Sequence, residues 1–94
     1  MELQTYVIYD IEDDRIRYRI SEICRDYGLE RIQYSAFLGP LSRNKREELF
    51  LKLSEAIEEH TGKIIVQPIC EKDSKVQLVI INEKNKKNSL DEKE

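Results

Sequence analysis

The sequence predicts an α+β fold in which two helices cover one face of an antiparallel sheet. Runs of β-branched and aromatic residues, each of strand length, lie at 4–11, 29–38 and 63–70. Two segments with apolar residues at helical spacing, 12–27 and 42–60, separate these runs. The order is therefore strand, helix, one or two strands, helix and strand, which is the plan of a split βαβ unit.

The first strand is expected at 4–11, and its side chains divide between two faces. The two sets, which alternate along the strand, are Tyr6, Ile8 and Asp10 on one face and Thr5, Val7 and Tyr9 on the other. Both sets are largely apolar. We therefore expect a central strand that is covered on both sides.

The first helix is expected to begin at the acidic residues 12–14, whose carboxylates accept hydrogen bonds from free N–H groups at the positive end of the helix dipole. Its apolar stripe consists of Ile16, Ile20, Ile23, Cys24 and Tyr27. Its opposite side consists of Arg15, Arg19, Glu22 and Asp26. Gly28 is expected to end the helix.

The segment 29–38 is predicted to be one long bent strand or two short strands that meet near 33–35, and Gly39-Pro40 is expected to end it. A second helix is predicted at 42–60, with Ser42 as its N-cap. The inner stripe of this helix is Leu49, Leu53, Ala56, Ile57 and His60. In that stripe His60 is expected to be packed, or to end the helix, rather than to ligate a metal.

The last strands complete the predicted domain. Pro68 confines the strand 63–70 to an edge or a bulge, because proline cannot donate to a sheet. A charged turn at 71–75 leads to a further apolar strand at 76–81. The predicted fold is ferredoxin-like, βαββαβ plus this extra C-terminal strand, over residues 1–81. Residues 82–94 are charged and nearly free of apolar side chains, which predicts a disordered tail.

The predicted sheet has one face without helices, and this face indicates a homodimer. Its strand residues are apolar, and the segment 76–81 is more apolar than an exposed edge should be. Packing of this face against the same face of a second chain would bury both, and the last strand can then extend the partner's sheet. A chain of 94 residues gains much from such burial, because alone it buries only a little over ~60% of its surface.

Composition excludes several classes of protein. No stretch approaches the roughly 18 apolar residues that span a membrane, and residues 1–4 lack the form of a signal peptide, so we expect a cytoplasmic protein with no membrane partner. Cys24 and Cys70 lie among apolar neighbours without metal-site spacing, which indicates two buried free thiols and no disulfide or zinc site.

The distribution of charge says more than its sum. The net charge of −3 argues weakly against binding to nucleic acid. Residues 1–40, however, carry eight acidic and five basic side chains, and all five bases are arginines. Arginine is the side chain best suited to forked contacts with phosphate and to interfacial ion pairs.

The residues around the end of the first strand form a more specific pattern. In chain order they are Tyr9-Asp10-Ile11, Asp13-Asp14, Arg17, Arg19, Tyr27-Gly28-Leu29, Arg31-Ile32-Gln33-Tyr34-Ser35-Ala36-Phe37 and Gly39. This order and spacing closely resembles the small CRISPR-associated adaptation and endoribonuclease family, the second Cas protein family and the partner of the CRISPR integrase. The resemblance covers residues 5–81, and its most specific part is 28–39.

The resemblance implies a ferredoxin-like homodimer that assists spacer acquisition in complex with the larger integrase. Members of the family have been described as divalent-metal-dependent nucleases that act on RNA or on duplex DNA. The family's metal-binding aspartate falls on Asp10. Its other functional positions fall on Tyr9, Arg17, Arg19, Arg31 and Phe37, and the three arginines are the expected nucleic-acid-binding residues. Ala36 stands where members often carry valine, a difference that concerns only packing.

The chemistry of Mg²⁺ fits a single aspartate in each chain. The ion prefers oxygen ligands and keeps several waters, so that one or two protein carboxylates suffice. A two-fold axis near Asp10 would supply a second carboxylate, and one Mg²⁺ would then be shared between the two. Such an ion lowers the pKa of a bound water and offsets charge on the attacked phosphate.

Simpler interpretations remain open for each of these residues. Asp10 can cap the following helix or end a strand, Arg17 and Arg19 can belong to a solvated helix face with paired acidic residues, and Phe37 can serve packing rather than base stacking. At the level of function the alternatives are a non-catalytic dimeric DNA-binding scaffold and a related toxin-like ribonuclease.

Overall fold

The protein folds into a four-stranded sheet with two long helices on one face. The computed structural model describes residues 1–83. Its elements are β1 (Glu2–Ile11), α1 (Asp14–Asp26), β2 (Glu30–Gln33), β3 (Ala36–Ser42), α2 (Arg43–Ile57), β4 (Gly62–Ile69) and α3 (Glu71–Lys75). The strand order is β2-β3-β1-β4, and each neighbouring pair is antiparallel. This is the predicted ferredoxin-like α+β fold, with β1 inside the sheet and β4 at its edge.

The core lies between the sheet and the helices α1 and α2. It is formed by Val7, Tyr9, Ile11, Ile20, Ile23, Cys24, Leu29, Phe37, Leu41, Leu49 and Leu53. The alternation expected for β1 is confirmed, because Thr5, Val7 and Tyr9 are buried while Asp10 is exposed. Burial of Ile20, Ile23 and Cys24 likewise confirms the apolar stripe of α1.

The predicted helix caps are present. The Asp13 carboxylate accepts a hydrogen bond from the Ile16 N–H at 3.0 Å, and the Ser42 hydroxyl accepts one from the Lys45 N–H at 3.2 Å. Gly28, directly after α1, has φ +82°, the left-handed conformation that glycine adopts without strain. Capping side chains therefore fix where α1 and α2 begin, and the backbone conformation of Gly28 fixes where α1 ends.

The second helix ends earlier than predicted, at Ile57 instead of residue 60. Glu58 leaves the helical conformation, with φ +48°. His60 is consequently exposed, and its Nδ1 lies 3.2 Å from the Ile57 carbonyl oxygen. The prediction that His60 packs on the inner stripe of the helix is therefore wrong.

The segment 29–38 is two strands rather than one. β2 and β3 pair through a bulge between Arg31 and Gln33. The prediction that Gly39-Pro40 ends the second of them is wrong, since β3 continues to Ser42. Pro40 is tolerated because β2 pairs only with residues 36–38 of β3, so that among the described strands Pro40 lies beside β1 alone.

The predicted extra strand at 76–81 is not a strand in the single chain. Residues 71–75, expected to be a turn, form the short helix α3, and Leu78 and Ile80 after it are each 94% exposed. A strand requires a second strand to satisfy its N–H and C=O groups, and within residues 1–83 no strand pairs with this segment. The predicted tail, 82–94, lies outside the described residues except for its first two.

The outer face of the sheet is the face opposite α1 and α2, where Tyr6, Ile8, Leu38 and Ile65 lie. Ile8 pairs directly with Ile65, and Tyr6 pairs with Leu38. Ile8 is 42% and Ile65 is 41% exposed. The sequence predicts cover on both faces of β1. In the single chain α1 and α2 cover one face, whereas the outer face is covered only near Tyr6, whose hydroxyl accepts a hydrogen bond from the Gln77 side chain after α3.

The two cysteines differ, contrary to the expectation that both are buried. Cys24 is buried in the core, whereas Cys70 is exposed because it lies after the end of β4, at the N-cap of α3. Burial raises the pKa of the Cys24 thiol to about 12, so that little thiolate is available for reaction near neutral pH.

We therefore expect a single reactive thiol in each native chain. An aromatic disulfide reagent at pH 8 should titrate Cys70 rapidly and reach Cys24 only when denaturant is added. Cys70→Ser should remove the rapid reaction, and Cys24→Ser should leave it intact. Two thiols that react at the same rate in the native protein would contradict the burial of Cys24.

Candidate functional site

The residues predicted to act together lie on two sides of the sheet. Tyr9 and Asp10 are adjacent near the end of β1, so that their side chains point to opposite faces. Tyr9 is buried beneath the helices, and Asp10 is exposed on the outer face. The candidate site is therefore described as a helix-side cluster (Tyr9, Arg17, Arg31 and Phe37) and an outer-face carboxylate.

The helix-side cluster is held together by ring and guanidinium contacts. Register places Arg31 of β2 opposite Phe37 of β3, and the Arg31 guanidinium carbon lies 4.9 Å from the centre of the Phe37 ring. The Tyr9 and Phe37 rings stack with their centres 6.4 Å apart. Burial raises the pKa of the Tyr9 hydroxyl, while the positive charge of the nearby Arg31 opposes that rise. Because the Phe37 ring is fully buried, this arrangement favours packing over stacking on a base.

Arg17 joins this cluster from the first turn of α1. Its guanidinium donates hydrogen bonds to the Ile11 and Glu12 carbonyl oxygens, at 3.0 and 3.1 Å, and forms an ion pair with Asp14. Its central carbon also lies 5.6 Å from the centre of the Tyr34 ring. These contacts fix the arginine beside a cleft of about 190 Å³. The cleft is lined by Tyr9, Asp14, Arg17, Tyr18, Ser21, Arg31 and Tyr34.

Arg19 lies elsewhere. It follows Arg17 by two residues, and at 3.6 residues per turn this spacing places the two side chains on different sides of α1. Arg19 lines a cleft between α1 and α2 together with Glu22, Glu55 and His60. The structure therefore brings together four of the six predicted site residues and separates Arg19 and Asp10 from them.

Asp10 is the predicted site residue that lies on the outer face. It is exposed, and within residues 1–83 its carboxylate takes part in no hydrogen bond or ion pair. Pairing of β1 with β3 stops at Ile8, so that the neighbour of Asp10 on this face is Lys63 of β4, directly opposite in the register. An exposed carboxylate without an internal partner is free to bind an external cation or a hydrogen-bond donor.

A single chain offers only part of a metal site at Asp10. In the described part of the chain no group of three or more histidine, cysteine, aspartate or glutamate side chains lies together in a way that could hold a metal ion. One free carboxylate oxygen donor suits Mg²⁺, which retains waters as its other ligands. The residues present therefore fit half of a shared site and do not fit a complete protein cage.

Two features of the site were missed by reasoning from the sequence. Tyr34 is 72% exposed and covers the Arg17 guanidinium, and its place in an aromatic and arginine-rich segment was the available signal. Lys63 carried no local signal, because only the pairing of β4 with β1 places it beside Asp10.

Comparison with known proteins identifies the family of the chain. The model of the family described as CRISPR associated protein Cas2 matches residues 4–76. A CRISPR-associated endoribonuclease Cas2 of Desulforudis audaxviator is 42% identical over 78 residues, which are 83% of this chain and 74% of that protein. A second such protein, from Chloroflexus aurantiacus, is 48% identical over 62 residues, 66% of this chain and 73% of its own. The chain belongs to the Cas2 family.

A fused relative and two solved structures extend the comparison. A CRISPR-associated endonuclease Cas1/endonuclease Cas2 fusion of Thermoproteus tenax is 37% identical over 57 residues, 61% of this chain and 22% of the fusion. Cas2 of Streptococcus pyogenes has the same fold, with a TM-score of 0.67 at 20% identity over 82% of this chain and 99% of that one. A hypothetical protein of Thermus thermophilus gives a TM-score of 0.73 at 23% identity over 87% and 93% of the two chains.

None of the helices formed by residues 1–83 has the length and apolar character needed to cross a membrane.

The cap that orients α1, and with it Arg17, predicts a pH dependence of stability. The hydrogen bond from the Ile16 N–H lowers the pKa of Asp13 below its ordinary value of 3.8. A pKa that is lower in the folded than in the unfolded state stabilises the fold above the unfolded value, and this contribution is lost as the pH falls through the folded value. We expect Asp13→Asn, which caps without titrating, to be less stable than the wild type at pH 7 and to lose that deficit progressively as the pH is lowered from 7 toward 3 and the Asp13 carboxylate becomes protonated.

Urea unfolding of both proteins over this pH range measures the difference. Unfolding free energies that run parallel from pH 7 to pH 3 would show that the charge of Asp13 contributes nothing to the cap.

Proposed function

We propose that this protein acts in CRISPR spacer acquisition with the CRISPR integrase, and that it is a metal-dependent endonuclease acting on single-stranded RNA or DNA. One observation carries the proposal of catalysis: the exposed Asp10 carboxylate has no partner among the described residues and lies at the end of the central strand. Its relatives are named endoribonucleases. Membership of the Cas2 family favours this activity over that of a toxin-like ribonuclease. The proposed location is the cytoplasm, where the nucleic acid is.

The partnership with the integrase rests on the fused relative. In the Thermoproteus tenax protein, a segment similar to this chain is joined to a Cas1 endonuclease. Fusion keeps two domains at high effective concentration, which benefits proteins that work in one complex. Here the two would be separate chains that assemble.

The proposed working unit is a homodimer built on the outer face. Tyr6, Ile8, Leu38 and Ile65 form an apolar surface there that α1 and α2 cannot reach. Beside it, β4 pairs on one side only with strands formed by residues 1–83, which leaves its other edge free in that part of the chain. The apolar residues 76–81 form no strand of their own chain, and they are suited to pair with that edge of a second copy.

A groove beside β4 supports this placement of residues 76–81. It has a volume of about 440 Å³ and lies between α2 and β4. Its apolar lining consists of Phe50, Leu51, Val66 and Pro68. A strand added at the free edge of β4 would cover the groove with every second side chain.

In the proposed dimer the two Asp10 carboxylates would hold one Mg²⁺ between them. When bound, the ion lowers the pKa of a water and offsets negative charge on the phosphodiester. The Asp10 side chains orient that ion from the ends of two rigid strands. Without it, two like charges close together repel each other and raise the pKa of one carboxyl group.

Arg17 and Arg31 have a separate task in this proposal. Their guanidinium groups are fixed by the Ile11, Glu12 and Tyr34 carbonyl oxygens on the helix side of the sheet. They therefore bind phosphates of the nucleic acid away from the bond that is cut. Arg19, in the cleft between the helices, provides a further phosphate contact.

This separation also favours a second candidate function, a non-catalytic scaffold for the integration complex. The arginines do not touch Asp10, so a dimer without the carboxylate keeps its nucleic-acid-binding surface. Loss of cleavage with retention of integrase binding separates the two functions.

The nuclease proposal predicts that Asp10→Asn reduces Mg²⁺-dependent cleavage of a labelled single-stranded RNA by about 100-fold or more, the lower end of what one well-placed catalytic group contributes. Asp26→Asn has the same change of charge at the other end of α1 and should cleave as the wild type does. Sedimentation should show an unchanged oligomeric state for both variants. Equal residual cleavage by wild type and Asp10→Asn would remove the nuclease proposal and leave the scaffold.

The dimer proposal predicts a sedimentation mass of twice the chain mass of 11.2 kDa at micromolar concentration. Leu78→Asp with Ile80→Asp should give a monomer, because both side chains are exposed in the single chain and would be buried between two. Tyr18→Asp changes an exposed apolar side chain on α1 and should leave the dimer intact. A wild-type monomer, or a dimer insensitive to residues 78 and 80, would contradict this arrangement.

A further inference from the structure

We infer that Lys63 is the phosphate-binding residue of the Asp10 site and contacts the phosphodiester that is cut. The inference deepens the proposed function and rests on it for the location of the reacting phosphate. It assigns a role to a residue that the pattern at the end of β1 does not include.

The register of the sheet places Lys63 beside Asp10. The two residues are direct partners in the antiparallel pairing of β1 with β4, so that their side chains share the outer face with Cβ atoms about 4.5–5.5 Å apart. On the other side of Asp10, the pairing of β1 with β3 ends at Ile8, and within residues 1–83 the turn before β3 is joined to β1 by a hydrogen bond from the Tyr9 N–H to the Ser35 carbonyl oxygen, without a register partner for Asp10. Lys63 is thus the basic side chain that the sheet delivers to this carboxylate.

Gly62 fixes that register. A Cβ atom at residue 62 would lie 2.8 Å from Cγ1 of Ile11 and 3.1 Å from the carbonyl oxygen of Asp10. Only a residue without a side chain allows β4 to begin this close to the end of β1. The close approach at residue 62 then sets the next residue, Lys63, directly opposite Asp10.

Asp10 and Lys63 do not satisfy each other in the single chain. Both side chains are exposed, and among residues 1–83 neither takes part in an ion pair or a hydrogen bond. A structural ion pair would hold the two within 4 Å. The ammonium group is instead free to swing on its four-carbon stem toward a ligand at the carboxylate.

The net charge of the proposed metal site indicates what Lys63 contributes. Two Asp10 carboxylates would balance the charge of one Mg²⁺, so that the site would carry no net positive charge to draw an anionic phosphodiester toward it. Two Lys63 ammonium groups restore net positive charge at the position where the phosphate must enter. A fixed positive group at a phosphate also stabilises the charge that develops on its oxygens during hydrolysis.

Binding of RNA without turnover tests this role. The wild-type dimer is titrated against a fluorescein-labelled oligouridylate in EDTA over a range of salt concentrations. Lys63→Gln is expected to weaken binding about 5- to 10-fold and to reduce the slope of log K against log salt by about 0.7 for each lysine that contacts the strand. Lys63→Arg, which keeps the charge, should restore most of the affinity.

Lys45→Gln is the matched control, since Lys45 lies on the helix side at the start of α2 and pairs with Glu48. It should bind RNA nearly as the wild type does. In Mg²⁺, Lys63→Gln should raise KM for cleavage and lower kcat, whereas Asp10→Asn should abolish cleavage and leave binding in EDTA intact.

The outcomes distinguish this inference from the proposed function. If Asp10→Asn abolishes cleavage while Lys63→Gln binds and cleaves as the wild type, the nuclease stands and the role of Lys63 is overturned. If Lys63→Gln and Lys45→Gln weaken RNA binding equally, the role of Lys63 is also overturned, because the loss then reflects the net charge of the protein rather than a contact at residue 63. If the wild type cleaves no faster than Asp10→Asn, the nuclease proposal is overturned. The phosphate contact still stands in that case if Lys63→Gln alone weakens binding. A wild type that binds no RNA overturns both.

Discussion

The two-residue period of β1 is the constraint on which the rest of the structure depends. As the central strand, β1 sends Thr5, Val7, Tyr9 and Ile11 under the helices and turns the intervening side chains to the outer face. A shift of one residue in its pairing would exchange these two sets and expose the core. The same period places Asp10 on the outer face and Tyr9 under the helices. The packing of the core therefore also fixes the face on which the candidate carboxylate lies.

This division explains how one small domain can hold two kinds of site. On the helix side, Tyr9, Phe37 and Arg31 are locked by packing and ring contacts, which suits a rigid surface for binding phosphate. On the outer face, Asp10 and Lys63 are exposed and unpaired within the described chain, which suits groups that must meet a ligand. The sheet between them keeps the guanidinium groups from neutralising the carboxylate.

The sequence predicts well those features that depend on neighbours along the chain. The alternation of β1, the stripe of α1 and the caps at Asp13 and Ser42 follow from local periodicity and local hydrogen bonds, and all of them are confirmed. The separation of Arg17 from Arg19 also follows from the helical period. The family resemblance groups the two arginines as functional residues and does not reveal this separation.

The features that the sequence does not predict depend on where elements end and which strands meet. His60 and Cys70 are exposed because α2 and β4 stop before them. An apolar run such as 76–81 predicts a strand, but a strand forms only where a partner edge is available. The position of Lys63 depends on a pairing between residues more than fifty positions apart in the chain, for which no local pattern exists.

The proposed dimer couples the completeness of the site to the stability of the fold. Ile8 lies two residues before Asp10 on the outer face and pairs with Ile65, while Lys63 precedes Ile65 by the same two residues on β4. A surface that buries the two isoleucines against a second copy therefore also sets the distance between the two carboxylates. Substitutions in this apolar row would act on activity through the geometry of Asp10, and dilution would act in the same way, because a site shared by two chains disappears when they separate. Burial of a weakly covered face and assembly of a metal site from single carboxylates are thus two consequences of one interface.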